Sequence, residues 1–136
     1  HFSPTQLSGR LGSWMNPHGR LVVTTPNWSY IKNTLPTFRE LGDPAKHEHL
    51  QFSADGDGHF FAYRASELTE IFQSAGLSAL CVSYFETPWI SGHIRIRHLH
   101  GWWPTGLLRS LDSATLRIPG IGKHMAHQLM IVGEAP

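Results

Sequence analysis

GRLVVTTPNWSY, residues 19–30, decides the fold. Leu21, Val22, Val23, Thr24 and Thr25 are apolar or β-branched in unbroken succession, the composition of a strand on a pleated surface. Its start is apolar on both faces, as in a parallel sheet with helices on each side. The run then stops at Pro26-Asn27. Pro26 fixes φ and removes a donor, while Thr24, Thr25 and Asn27 supply short polar groups. Two explanations stay open: a turn that merely ends the strand, or a rim at the carboxyl end of the strand, where open α/β sheets place their ligands.

Upstream, Ser3-Pro4-Thr5-Gln6 offers a cap, a proline at the first helical position and a Gln three residues after the cap. That predicts a helix over residues 4–15, weakened by Gly9 and Gly12, and Asn16-Pro17-His18-Gly19 reads as a turn. Downstream, residues 26–63 are irregular, and only residues 30–41 have room for a short helix. Loops of that length in compact domains are commonly functional. Order returns with RASELTEIFQSAGL at residues 64–77. Ser66 is the expected cap, Glu67 and Glu70 suit the N-terminal end of the dipole, Leu68, Ile71, Phe72 and Ala75 share a face, and Gly76 supplies the stop. Residues 77–85 and 127–133 read as two more strands. Between them residues 86–126 form a long excursion with a helix expected over residues 104–116.

The totals bound the function. A chain of 136 residues has room for one domain, and 11 basic against 10 acidic side chains give a net charge of +1. That speaks against a dedicated nucleic-acid binder. The single cysteine, Cys81, sits in an apolar run and reads as a small buried hydrophobe. No signal peptide and no apolar run long enough to span a bilayer is present, which makes a cytoplasmic setting the expectation. A first residue of His1 suggests a piece of something longer.

The succession GRLVVTTPN, then GHFFAYRASELTEIFQSAGL, then an apolar strand and finally HQLMIVGEA resembles the C-terminal half of class I S-adenosylmethionine-dependent methyltransferases. The resemblance covers nearly the whole chain. It implies an α/β fold: a partial Rossmann-like sheet made of the last three strands with flanking helices, the final strand antiparallel, and residues 1–136 as one portion of a larger domain. It also implies S-adenosylmethionine as cofactor and methyl transfer to a small-molecule or lipid-like acceptor. No glycine-rich cofactor loop occurs in the sequence, so the cofactor pocket is expected to lie outside it, with this chain inactive alone. A half-sheet leaves a raw edge, to be covered by the missing N-terminal half or by a second copy.

On that basis Thr25 is expected at the cofactor rim, His59 as a possible base, and Asn27, His49, Tyr63 and Arg64 on the substrate side. A histidine accepts a proton near neutral pH, and an arginine suits a carboxylate or phosphate; a packed or solvated loop residue is the plainer alternative for each. His47-Glu48-His49 with Asp55, Asp57 and His59 has the residue types of a metal site but none of the usual spacings, so no metal is expected. Residues 87–111 carry no acid, while Arg95, Arg97 and Arg109 mix with Trp89, Trp102 and Trp103, and Ile94 and Ile96 alternate with arginines as in a half-buried strand. Such a segment suits an anionic membrane surface or a phosphate-bearing substrate, or simply packs its apolar side chains on the sheet and points its arginines to water. The alternative function is a non-catalytic binding or assembly module using the sheet edge and this segment.

Overall fold

The computed structural model describes residues 4–43, 46, 47, 49, 58–91 and 96–136. In chain order the elements are α1 (Pro4–Ser13), β1 (Arg20–Pro26), α2 (Phe38–Leu41), α3 (Ala65–Ser74), β2 (Ser78–Phe85), α4 (Pro88–Ser91), a 3-10 turn (Ile96–Gly101), α5 (Thr105–Leu116), α6 (Gly122–Met125) and β3 (Gln128–Glu134). The strands form one sheet in the order β1-β3-β2. The last strand lies between the other two and runs antiparallel to both, with Val23 opposite Ile131 and Val82 opposite the same residue. The three expected strands therefore share one layer. Because β1 and β2 both oppose β3, they run parallel to each other.

One face of this sheet is the core. Leu129 and Ile131 of β3 are fully buried, and they pack with Leu68, Ile71 and Phe72 of α3 and with Leu77. Each such side chain contributes about 1.5–3 kcal/mol by leaving water. Gly133 makes the close approach possible: a Cβ there would sit 2.3 Å from Cδ1 of Phe72. The helix ends where the sequence predicts, at Gly76 with φ +79°, a conformation that glycine enters without steric cost.

The opposite face is not closed in the same way. Val22, Thr24, Met130 and Val132 lie on it by register, and Val22 is 54% exposed. The expectation that β1 is buried on both faces is thus corrected: its exposure alternates along the strand. Cys81 is likewise exposed, and the cause is a β-bulge. Ala79 opposes Gly133 but Cys81 opposes Val132, so Leu80 is an extra residue. Simple alternation would put Ala79, Cys81 and Ser83 on one face; the bulge instead gives the core face Ala79, Val82 and Tyr84 and turns Cys81 outward.

Three local expectations also change. The cap of α3 is Arg64, not Ser66, and its N–H donates to Oε2 of Glu67 at 2.8 Å. Of the room for a helix in residues 30–41, only Phe38–Leu41 is used, opened by Thr37 and Glu40 in a reciprocal capping box. The expected strand at Ile94 and Ile96 is a 3-10 turn from Ile96 onward, and Ile94 lies outside the described residues, as does the expected cap Ser3. The helix over residues 4–15 ends at Ser13.

The excursion between β2 and β3 is fastened at its root. Thr87 is fully buried, and both its N–H and its hydroxyl donate to Oδ1 of Asp112 in α5, at 2.8 and 2.7 Å. Nε1 of Trp89 donates to Oγ1 of Thr115 at 2.9 Å. Together they hold α4 and α5 at the end of β2.

Candidate functional site

The end of β1 is built around Asn27. Its carboxamide is 2% exposed, and Nδ2 donates to the carbonyls of Lys123 and Ala126 at 2.6 and 2.8 Å while Oδ1 accepts from the Ser29 N–H at 3.0 Å. A buried amide must be satisfied, and this one is satisfied by backbone. Asn27 thereby locks the exit of β1 to the connection between α6 and β3. That answers the question raised by Pro26-Asn27: the abrupt polar residue is a fastener between two distant segments, and it shapes the site without offering its amide to a ligand.

From this anchor the chain loops out through residues 28–36 and returns under residues 60–63. The Trp28 N–H donates to the Tyr63 carbonyl at 3.1 Å, and the Ala62 N–H to the Pro36 carbonyl at 3.0 Å. The loop leaves an open cleft of about 570 Å³ walled by Trp28, Tyr30, Leu35, Glu40 and His124, among others. Asn33 stiffens one side by bonding both backbone groups of Leu35.

Two groups in this wall have chemistry to offer. Nδ1 of His124 lies 2.8 Å from the Ser29 carbonyl oxygen. A carbonyl only accepts, so Nδ1 carries the proton and Nε2 of the neutral ring is an acceptor. The hydroxyl of Tyr30 is buried with no protein partner among the described residues. Burial raises its pKa above the usual phenol value, so it remains a donor. The Tyr30 ring meets His127 edge to face at 5.4 Å, which fixes it against the root of β3.

The electrostatics at the mouth centre on Arg64. Its guanidinium stacks over Trp28, 3.5 Å from the ring centroid, and one of its nitrogens lies 3.8 Å from Oε1 of Glu40. The hydrogen bonds from the Thr37 backbone and side chain hold the Glu40 carboxyl below its ordinary pKa. Beneath, the buried carboxylate of Glu67 accepts the N–H groups of Arg64 at 2.8 Å and Arg39 at 3.2 Å. It ties the first turns of α2 and α3 together.

The expected site residues do not all converge. Arg64 stands beside two residues of the cleft wall, Trp28 and Glu40. Tyr63 is 8% exposed inside the core cluster and stacks with Phe38 and Phe61. Burial first, and then the Glu67 charge, push its hydroxyl far up from the ordinary phenol value, so it is a packing residue of the core rather than an acid or base. Thr25 shares a face with Leu21 and Val23 and opposes Leu129, on the core side of the sheet. His59 and His49 are exposed, and neither lines the cleft. Glu48, Asp55 and Asp57 lie outside the described residues, and among the described residues no group of three or more His, Cys, Asp or Glu is placed to hold a metal. Tyr30 and His124 carry no motif. Only the contact between residues 27–31 and 123–127 brings them together, and the sequence has no signal for it.

Cradling a dinucleotide-like cofactor takes a glycine-rich turn and free polar groups at a strand end. The described residues do not provide that. The Asn27 amide is committed to backbone, and Thr25 faces the core.

No family model and no curated protein matches this chain. Among solved structures, it is similar to a SAM-dependent methyltransferase from Archaeoglobus fulgidus, with 12% identity and a TM-score of 0.46 over 96% of this chain and 51% of that one. It is also similar to a putative methyltransferase from Bacillus halodurans, with 10% identity and a TM-score of 0.44 over 98% of this chain and 63% of that one. The chain thus spans between 51% and 63% of the length of these two proteins. No described helix is long and apolar enough to cross a membrane.

Proposed function

We propose that this chain is the acceptor-binding portion of an S-adenosylmethionine-dependent methyltransferase, working in a longer protein on a small-molecule or lipid-like acceptor. The observation that carries the proposal is the antiparallel β3 lodged between β1 and β2, the final-strand direction that the sequence resemblance implies. A cleft opens at the carboxyl end of β1, where α/β sheets place ligands. The cofactor supplies an electrophilic methyl group. What this chain's own residues do is hold the acceptor: Trp28, Tyr30 and Leu35 give it a largely apolar wall. Nε2 of His124 takes the acceptor's proton.

The test follows methyl label. The complete gene product is incubated with S-adenosylmethionine carrying tritium in its methyl group, together with a small-molecule extract and a lipid extract. Label is expected in one of the two extracts, and no transfer above that of heat-treated protein would overturn the proposal. Isothermal titration of this chain alone with S-adenosylmethionine is expected to show no tight binding. A tight complex would mean that the cofactor residues lie within it.

A second function is favoured by one observation, that β1 is an outer strand whose only strand partner among the described residues is β3. An open edge of this kind accepts another strand, which suits an assembly module. An obligate oligomer in sedimentation together with no methyl transfer would support it over the enzyme.

A further inference from the structure

The excursion that leaves β2 has a use of its own, independent of any methyl transfer. Residues 87–133 contain Arg95, Arg97, Arg109, Arg117 and Lys123 but a single carboxylate, Asp112. That carboxylate is 8% exposed and engaged with Thr87. Among the described side chains of the region, Arg109, Arg117 and Lys123 are exposed, so the charge it presents there is positive, although the chain as a whole is almost neutral.

The same region exposes apolar surface in a pattern. Helix α5 buries Leu108 and Asp112 and turns Arg109 outward. At 3.6 residues per turn, Leu107, Leu111 and Ala114 fall on one stripe beside the buried face. Leu107 in the first turn and Ile118, two residues past the helix end at Leu116, are each 45% exposed. Arg117 lies about a quarter turn round from the stripe. Just before the helix, Trp102 is 86% exposed. A helix with an exposed apolar stripe, a flanking arginine and an open tryptophan at one end fits the boundary between headgroups and acyl chains.

We propose that α5 and the Trp102 turn dock this protein on an anionic phospholipid surface. Trp102, Leu107 and Ile118 enter the headgroup boundary, and Arg117 reaches lipid phosphates, whereas Arg109 lies on the far side of the buried face. Positive charge without a competing carboxylate selects anionic over zwitterionic lipid.

The experiment is co-sedimentation of the chain with vesicles of phosphatidylcholine, with and without about 30% phosphatidylserine, an anionic fraction that gives a clear surface potential. Pelleting is expected only with phosphatidylserine, and to fall away as salt rises from about 0.05 M to about 0.5 M. The variant Arg117→Gln is expected to bind about fivefold more weakly. Trp102→Ala is expected to weaken binding as well. Trp14→Ala, which removes an exposed tryptophan outside the region, is expected to bind as the parent does; circular dichroism confirms that each variant is folded. Trp102 fluorescence, isolated by comparison with Trp102→Phe, is expected to be quenched by brominated acyl chains. Equal binding to both vesicle types, indifference to the arginine change, binding to heparin but not to vesicles, or a dimer that closes over the stripe without binding lipid would each overturn the proposal.

Discussion

At the residue scale, His124 and Gly133 carry the most consequence for their size. If Nε2 of His124 takes the acceptor's proton, His124→Asn separates chemistry from structure, because its amide nitrogen can keep the bond to the Ser29 carbonyl. In the active protein the expected result is a kcat about 10²–10⁴-fold lower with KM little changed and an unchanged melting temperature. His59→Asn is expected to leave kcat within about twofold, since His59 stands outside the cleft and loses no proton-transfer role. Gly133→Ala tests packing instead. A methyl group 2.3 Å from the Phe72 ring forces either ring or strand to move, with an expected loss of about 1–3 kcal/mol in urea unfolding. The sequence shows what Gly76 does, because a glycine closing a periodic helix is a local signal. Gly133 has no such signal, because the ring that requires it lies on another element.

Elements read differently according to where their stabilisation comes from. The helix α3 and the three strands were legible in the sequence because period and composition are local properties. Cys81 faces the open side because a one-residue bulge inverts every side chain beyond it, and nothing in SALCVSYF announces the insertion. Ser66 was passed over as cap because Glu67, one residue later, satisfies the Arg64 N–H from inside the helix. The helix α5 was legible as a helix, but not the way it is attached. Asp112 receives both the N–H and the hydroxyl of fully buried Thr87. Asp112→Ala strands both donors, and the expected loss is about 1–3 kcal/mol. Asp112→Asn keeps an acceptor oxygen and is expected to cost less. Hydrogen exchange separates local from global effects: with Asp112→Ala, amides of α5 are expected to exchange faster by a larger factor than those of β3.

Over the whole molecule, the sheet has one closed face and one open one, and neighbouring residues of β3 report on the two. Ile131 is fully buried against α3, whereas Val132 is half-buried on the face shared with Val22 and Cys81. The sequence treats HQLMIVGEA as a uniform apolar strand; which face is closed depends on helices that pack from far away in the chain, and periodicity alone does not assign them. The site was equally out of reach, since its histidine and its tyrosine come from segments 27–31 and 123–127, which are far apart in the chain and meet only in the fold, through the Asn27 amide, the Ser29 carbonyl and the Ile31 N–H. Ile131→Ala leaves a cavity beside Phe72 and Leu129, for which large-to-small changes cost about 2–5 kcal/mol. Val132→Ala removes a side chain that already meets solvent, and surface-like positions cost about 1 kcal/mol or less. Urea unfolding of the two variants is therefore expected to give midpoints well apart, with Ile131→Ala much the lower. Equal losses would mean that the open face is closed in solution, by another copy or another part of the protein, and sedimentation of the Val132→Ala variant at falling concentration then tells which.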